Sequence, residues 1–155
     1  MLFVVFKAGE ARYALEARQV VEVIPLVTLR KCPGAPGAIA GLMNYGGAGV
    51  PVVDLGSLTG GMPSIPYLST RIIVTHYVGG EGRQRVLGLL AESVTNTVER
   101  KETDFCQGRV GGAGSLCLGK LAVDGAGFIQ RIVAANLVPK ELEAMLFTEP
   151  EGMAS

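Results

Sequence analysis

Residue types that do chemistry are few in this chain, and their spacing is informative. His76 is the single histidine and the cysteines are three, Cys32, Cys106 and Cys117. One imidazole excludes a histidine-based metal cluster, and a Cys–His nucleophile would need His76 beside one of three scattered thiols. Set inside an apolar run, His76 reads as a packed or surface residue. The cysteines share no CxxC spacing and are odd in number, so they read as reduced thiols. Gly114-Ser115-Leu116-Cys117-Leu118-Gly119-Lys120-Leu121 has phosphate-loop spacing. It ends on Leu121, however, where a Ser or Thr hydroxyl should hold magnesium, and it runs into a turn at Gly125 instead of opening a helix. Gly46-Gly47-Ala48-Gly49 and Gly111-Gly112-Ala113-Gly114 do not continue as GxGxxG and read as turns. Asp54 and Glu92 each follow an apolar strand. They could serve as an acid–base pair in a barrel pocket with Cys117, which would make the chain an enzyme or small-ligand carrier, or each could accept backbone amides at a strand end.

The elements that would position these residues are mostly strands. The chain has 155 residues, 48% hydrophobic, with 14 basic and 14 acidic side chains, enough for one domain with its own core and too balanced for a basic nucleic-acid or membrane surface. Tryptophan is absent, and no Lys/Arg-interleaved aromatic platform for single-stranded nucleic acid stands out. Glycine (22) and proline (8) exceed the usual combined share of roughly 12%, without a collagen period or a polar tract, which makes the chain turn-rich. The first residues are too short an apolar run for a signal peptide and no stretch is long enough to span a bilayer, so a cytoplasmic protein is expected.

Leu2 to Leu15 reads as a hairpin turning at Ala8-Gly9-Glu10, and Glu16 to Ile24 as a short helical turn running into a strand that stops at Pro25. Cys32 to Gly37, with two prolines, must be a loop. Ala38 to Met43 reads as one helical turn, Val50 to Leu55 as a strand with Pro51 at an edge or start, and Gly56 to Ser69 as a connection. The clearest hairpin joins Arg71–Val78 to Arg85–Ala91 through Gly79-Gly80-Glu81-Gly82. Ser93–Arg100, Leu116–Val123 and Gly127–Ile132 are further short strands. Pro139, acidic Glu141 and Glu143, and apolar Leu142, Met145 and Leu146 mark a C-terminal helix that docks on the barrel.

Several stretches together resemble the CheW family, the coupling proteins of bacterial chemosensory arrays. Leu2-Phe3-Val4-Val5-Phe6 and Tyr13-Ala14-Leu15 resemble its opening hairpin, Val20-Val21-Glu22-Val23-Ile24 its V-x-E-V segment, and Ile39-Ala40-Gly41-Leu42-Met43-Asn44 its I-x-G-x-x-N. Val50-Pro51-Val52-Val53-Asp54-Leu55 is similar to its P-V-[IV]-D-L strand, and Gly88 to Val94 to its G-L-x-V-D-x-V element. Leu118-Gly119-Lys120 and Phe128-Ile129-Gln130 resemble its last strands. Where the family commonly has N-[LVY]-R-G this chain has Asn44-Tyr45-Gly46-Gly47, and Ala91-Glu92 stands for the usual Val-Asp. These departures point to a divergent member and to a surface-sensing or other non-flagellar pathway.

The resemblance implies a mainly β fold of two small SH3-like barrel lobes packed together, with short helical turns. Residues 1–138 would form this CheW-like domain and 139–155 the C-terminal helix and tail. It implies an adaptor without catalytic site, metal or cofactor. Its partners would be the regulatory domain of a CheA-type histidine kinase and the cytoplasmic tip of a chemoreceptor, with the chain itself monomeric or weakly self-associating. The residues expected to touch partners are Val20, Glu22, Gly41, Asn44, Tyr45 and Gly46. Core packing is the alternative for Val20, and a glycine-only turn for Gly41 and Gly46.

Overall fold

The structure, a computed structural model, describes residues 1–79, 82–107 and 120–146. Strands β1 (Leu2–Ala8) and β2 (Ala11–Glu16) form the first hairpin, and a single 3-10 turn, Ala17–Gln19, leads into β3 (Val20–Pro25). β4 (Ile39–Tyr45) and β5 (Ala48–Asp54) make a second hairpin, followed by helix α1 (Leu55–Gly60). β6 (Arg71–Val78) pairs with β7 (Gln84–Glu99); β8 (Cys106–Gln107), β9 (Lys120–Asp124) and β10 (Gly127–Ile132) follow, then α2 (Ala134–Leu137) and α3 (Lys140–Leu146). The fold is mainly β, as expected.

The organising element is β7. Its first half pairs with β6 and, in parallel, with β5, while its second half pairs with β1. Two lobes thus share one strand: β3–β6–β7–β5–β4 on one side, and β7–β1–β2–β10–β9–β8 on the other. The crossing point is marked by a register shift opposite Val5–Lys7 and by Ser93, whose φ of 50° is positive. The ladders stay open, with β3 and β4 each paired on one side.

Period-2 alternation explains why so many strands lack polar faces. In β6, Ile72 and Val74 point into a cluster with Met43, Val50, Val52 and Leu90, inside the first lobe. Ile73 and Tyr77 point the other way, into a larger cluster with Val53, Leu87, Leu89, Val4, Phe6 and Leu15 that lies between the lobes. β1 divides likewise, sending Phe3 to join Ala14, Phe105, Ala122 and Ile129 inside the second lobe. A strand buried on both faces must be apolar throughout, and a one-residue slip would exchange two cores. Helices α2 and α3 cover the shared cluster with Leu137 and Leu142.

Several segments depart from the sequence-based expectations. Ala38–Met43 is not a helical turn but mostly strand β4, because the tight turn at Gly46-Gly47 brings it into register with β5, Met43 opposite Val50. The connection after β5 holds α1, capped by Asp54, whose carboxylate accepts from the amides of Gly56 and Ser57. Ser93–Arg100 is not a separate strand but the second half of β7, and the chain crosses between lobes there without a turn. Pro51 sits opposite Leu42, before the parallel pairing with β7 begins at Val52, so its missing N–H costs no ladder bond there. Cys117, most of Gly114–Leu121, Gly111–Gly114 and the tail beyond Leu146 lie outside the described residues; Lys120 and Leu121 belong to strand β9.

Candidate protein-binding face

The six residues expected to contact partners separate into two groups. Glu22, Asn44, Tyr45 and Gly46 come together at one open side of the first lobe, where the free edges of β3 and β4 face one another. The β4–β5 hairpin closes with two loop residues, Gly46 at φ 60° and Gly47 at φ 88°, the left-handed pair that a type I′ turn requires. Asn44 stabilises the turn by accepting the Gly47 N–H at Oδ1, 2.9 Å away. This turn sets Tyr45 at the end of β4, its ring against the first lobe's cluster and its hydroxyl donating to Oε1 of Glu22 at 2.5 Å. The bond spans the gap between the two strand edges. Further along, Arg30 and Leu42 exchange backbone bonds of 2.8 and 2.9 Å, a second tie across the same opening.

Glu22 reaches this position through a register shift that takes Val21 out of the pairing with β6. The hydrogen bond to its carboxylate, then partial burial and the carboxylate's charge, raise the Tyr45 phenol above its ordinary value of 10.0. The partner of this exposed carboxylate is therefore a neutral phenol that keeps its proton.

Val20 and Gly41 stand apart from that face. Val20 is partly buried against the shared cluster. Gly41 is buried at φ 149°, and a Cβ there would lie 2.6 Å from the Arg30 carbonyl oxygen. Its lack of a side chain is what lets the segment after β3 close on β4.

The two carboxylates considered for acid–base work hold a loop. Asp54 is buried and accepts from Gly56 N (2.9 Å), from Ser64 Oγ (2.6 Å) and from Ser64 N (3.0 Å). Glu92 accepts the Ile65 amide at 2.7 Å. Ser64 and Ile65 are the partners that sequence reasoning missed; the signal was Asp54 at the end of β5, directly before a segment without charge, whereas Glu92 reaches Ile65 from the middle of β7, which only the fold shows. His76 is exposed on β6, its Nδ1 3.1 Å from Gln84 Nε2. Among the described residues no group of three or more His, Cys, Asp or Glu could hold a metal ion, and no helix is long and apolar enough to cross a membrane.

Comparison with known proteins gives this arrangement its context. The CheW-like domain model matches residues 2–117. The "Probable chemotaxis protein CheW" of Rhizobium etli is 27% identical over 93 residues, covering 60% of this chain and 57% of that protein. The "Chemotaxis protein CheW" of Rhizobium meliloti is 26% identical over 102 residues, 66% of this chain and 63% of that protein. The aligned region thus spans about three fifths of these relatives' length. The fold is that of the scaffolding protein TtCheW from Thermoanaerobacter tengcongensis, with a TM-score of 0.76 at 24% identity over 89% of this chain and 87% of that one. Open-sided β lobes sharing a core, the matched domain and these relatives lead to one assignment: the chain belongs to the CheW-like domain family.

Proposed function

We propose that this chain is a non-catalytic cytoplasmic adaptor that couples chemoreceptors to a CheA-type histidine kinase, and that Glu22, Asn44, Tyr45 and Gly46 form the face that meets a partner. Family membership supports the adaptor class. The observation that carries the choice of face is the Tyr45–Glu22 hydrogen bond, which fixes an exposed carboxylate across the open side of a lobe between the outer edges of β3 and β4, the latter tied to Arg30 only at Leu42. Val20, packed on the cluster between the lobes, and Gly41, closed against Arg30, lie outside this face. The hairpin tip carries glycine where the family commonly has arginine, so a bidentate contact from that position is absent here. This departure supports a pathway other than the flagellar one. Asp54 and Glu92 belong to the scaffold, since each is engaged in fixing residues 64 and 65.

The test is co-sedimentation of the chain with its cognate receptor fragment and kinase. Tyr45→Phe keeps the ring but removes the hydroxyl, and Glu22→Gln removes the charge. Each is expected to weaken assembly roughly two- to fivefold, the range for one exposed polar contact. Gly46→Arg has open space for its side chain but strains the turn at φ 60°, and is expected to leave assembly no tighter, with circular dichroism melts confirming that the variant is folded. Unchanged assembly in both Tyr45→Phe and Glu22→Gln would remove this face from the interface. A tighter complex with Gly46→Arg would mean that nothing on this face takes the place of the family's arginine.

A further inference from the structure

The segment between α1 and β6 is built unlike an ordinary surface loop. From Gly61 to Thr70 it contains no Asp, Glu, Lys or Arg. Its large side chains point outward: Leu68 is 99% exposed, Met62 74%, Tyr67 56% and Ile65 51%. Its backbone is nevertheless held at many points. Ser64 is bound to Asp54 through both its amide and its hydroxyl, and the Ile65 amide is bound to Glu92. The Thr70 hydroxyl donates to the Ile65 carbonyl at 2.5 Å, the Tyr67 amide bonds within the turn, and the Ser69 carbonyl accepts the Val94 amide at 3.0 Å. Pro63 and Pro66 restrict what is left. Two carboxylates and a buried threonine thus hold an apolar surface in water.

We propose that this loop is the contact surface of a weak, two-fold symmetric dimer of the chain. In a two-fold interface each patch meets its own copy, so any charge faces the same charge. A patch without charged residues avoids that repulsion and is complementary to itself. The four side chains expose on the order of 500 Å² per copy, within the size of a functional surface patch, so a symmetric contact that covers them fully buries about 1,000 Å² in total, the lower limit for a specific interface. The pinned backbone removes most of the ordering cost of association. The dimer forms at high local concentration and dissociates on dilution.

Sedimentation equilibrium of the full chain under reducing conditions, from about 10 μM to 1 mM, tests this, because the proposed contact is expected to have a Kd of roughly 100–500 μM, inside that range. The expected result is a weight-average mass that rises toward the dimer and does not fall in 0.5 M salt. Leu68→Glu, at a fully exposed position that leaves the fold intact, should weaken the dimer at least tenfold, whereas Glu22→Gln, on the other face, should not. Circular dichroism melts confirm that both variants are folded. A monomer throughout the range, a dimer unaffected by Leu68→Glu, or one dissolved by salt would overturn the proposal. So would a monomer whose loop instead proves necessary for capture by the kinase. None of these outcomes depends on the Glu22–Tyr45 face.

Discussion

Replacing Asp54 separates a structural carboxylate from a chemical one. Its Oδ1 caps α1 at Gly56 N and Ser57 N and takes the Ser64 hydroxyl, while Oδ2 takes the Ser64 amide. Asp54→Ala removes the cap, at a cost of about 1 kcal/mol. It also strands the partly buried Ser64 amide and hydroxyl, which adds about 2 kcal/mol in unsatisfied donors. The sum, about 3 kcal/mol, is a large share of the 5–15 kcal/mol typical of a domain and corresponds to a fall in Tm of about 10 °C at this chain length.

Asp54→Asn keeps an acceptor at Oδ1 for the cap and the Ser64 hydroxyl. The Ser64 amide, 3.2 Å from Oδ1, retains a longer bond in place of the 3.0 Å one. The asparagine Nδ2 would, however, face the Ser64 N–H as one donor to another, so this variant should lose an intermediate amount, about 2 kcal/mol. Urea unfolding followed by circular dichroism reads both, with the midpoint shifted and the slope unchanged. Hydrogen exchange at Ser64 and Ile65 should quicken in the alanine variant first. A loss below 1 kcal/mol for alanine, or an asparagine variant as damaged as alanine, would refute the account of Asp54 as an acceptor for this loop.

Gly41→Ala should destabilise the chain by about 2–4 kcal/mol, because the new Cβ would lie 2.6 Å from a backbone oxygen at a φ that L residues rarely adopt; the same urea titration measures it. Asp124 is held well below its ordinary 3.8, at about 2, by the bidentate Arg12 guanidinium at 2.8 and 2.9 Å, then by the Ala126 amide, with Arg100 also contributing. A depressed carboxyl stabilises the fold above its unfolded pKa and ceases to do so as pH falls through the folded one. Melts between pH 4 and pH 2 should therefore show a decline that Asp124→Asn makes shallower.

The hairpins at Leu2–Glu16 and Arg71–Ala91 and the turn leading into β3 were legible because glycine turns and β-branched runs are local signals. The strand at Ile39–Tyr45 was not, since Ala38-Ile39-Ala40 has no local β preference and only pairing with β5 decides it. The continuity of β7 was hidden for the opposite reason. Ala91-Glu92-Ser93 looks like a strand end, yet β6 pairs up to Ala91 and β1 takes over from Glu92. At the candidate site, Glu22 and Tyr45 were legible as residues, but their contact joins positions 23 apart and required the fold. The ambiguity at Asp54 and Glu92 was intrinsic, because a carboxylate at a strand end has the same sequence signature whether it faces a substrate or an amide; what decides is the number of donors around it.

The shared strand limits how an adaptor of this build can work. A hinge between the lobes would have to pull apart the cluster in which Val4, Phe6 and Leu15 meet Val53, Ile73 and Leu89, all buried, and bend β7 where it already carries its bulge. Close-packed interiors switch between discrete packings and do not deform gradually, so such a motion would expose a large part of the core. On the proposed function, coupling then works through placement: the lobes hold two surfaces at a fixed separation, and a receptor change is transmitted when it alters the affinity of one surface's partner while the other stays bound. A rigid body can do this only if its exposed polar contacts are themselves held in place. That requirement accounts for a carboxylate held by a phenol across the gap between β3 and β4, and for an asparagine committed to the turn beside it.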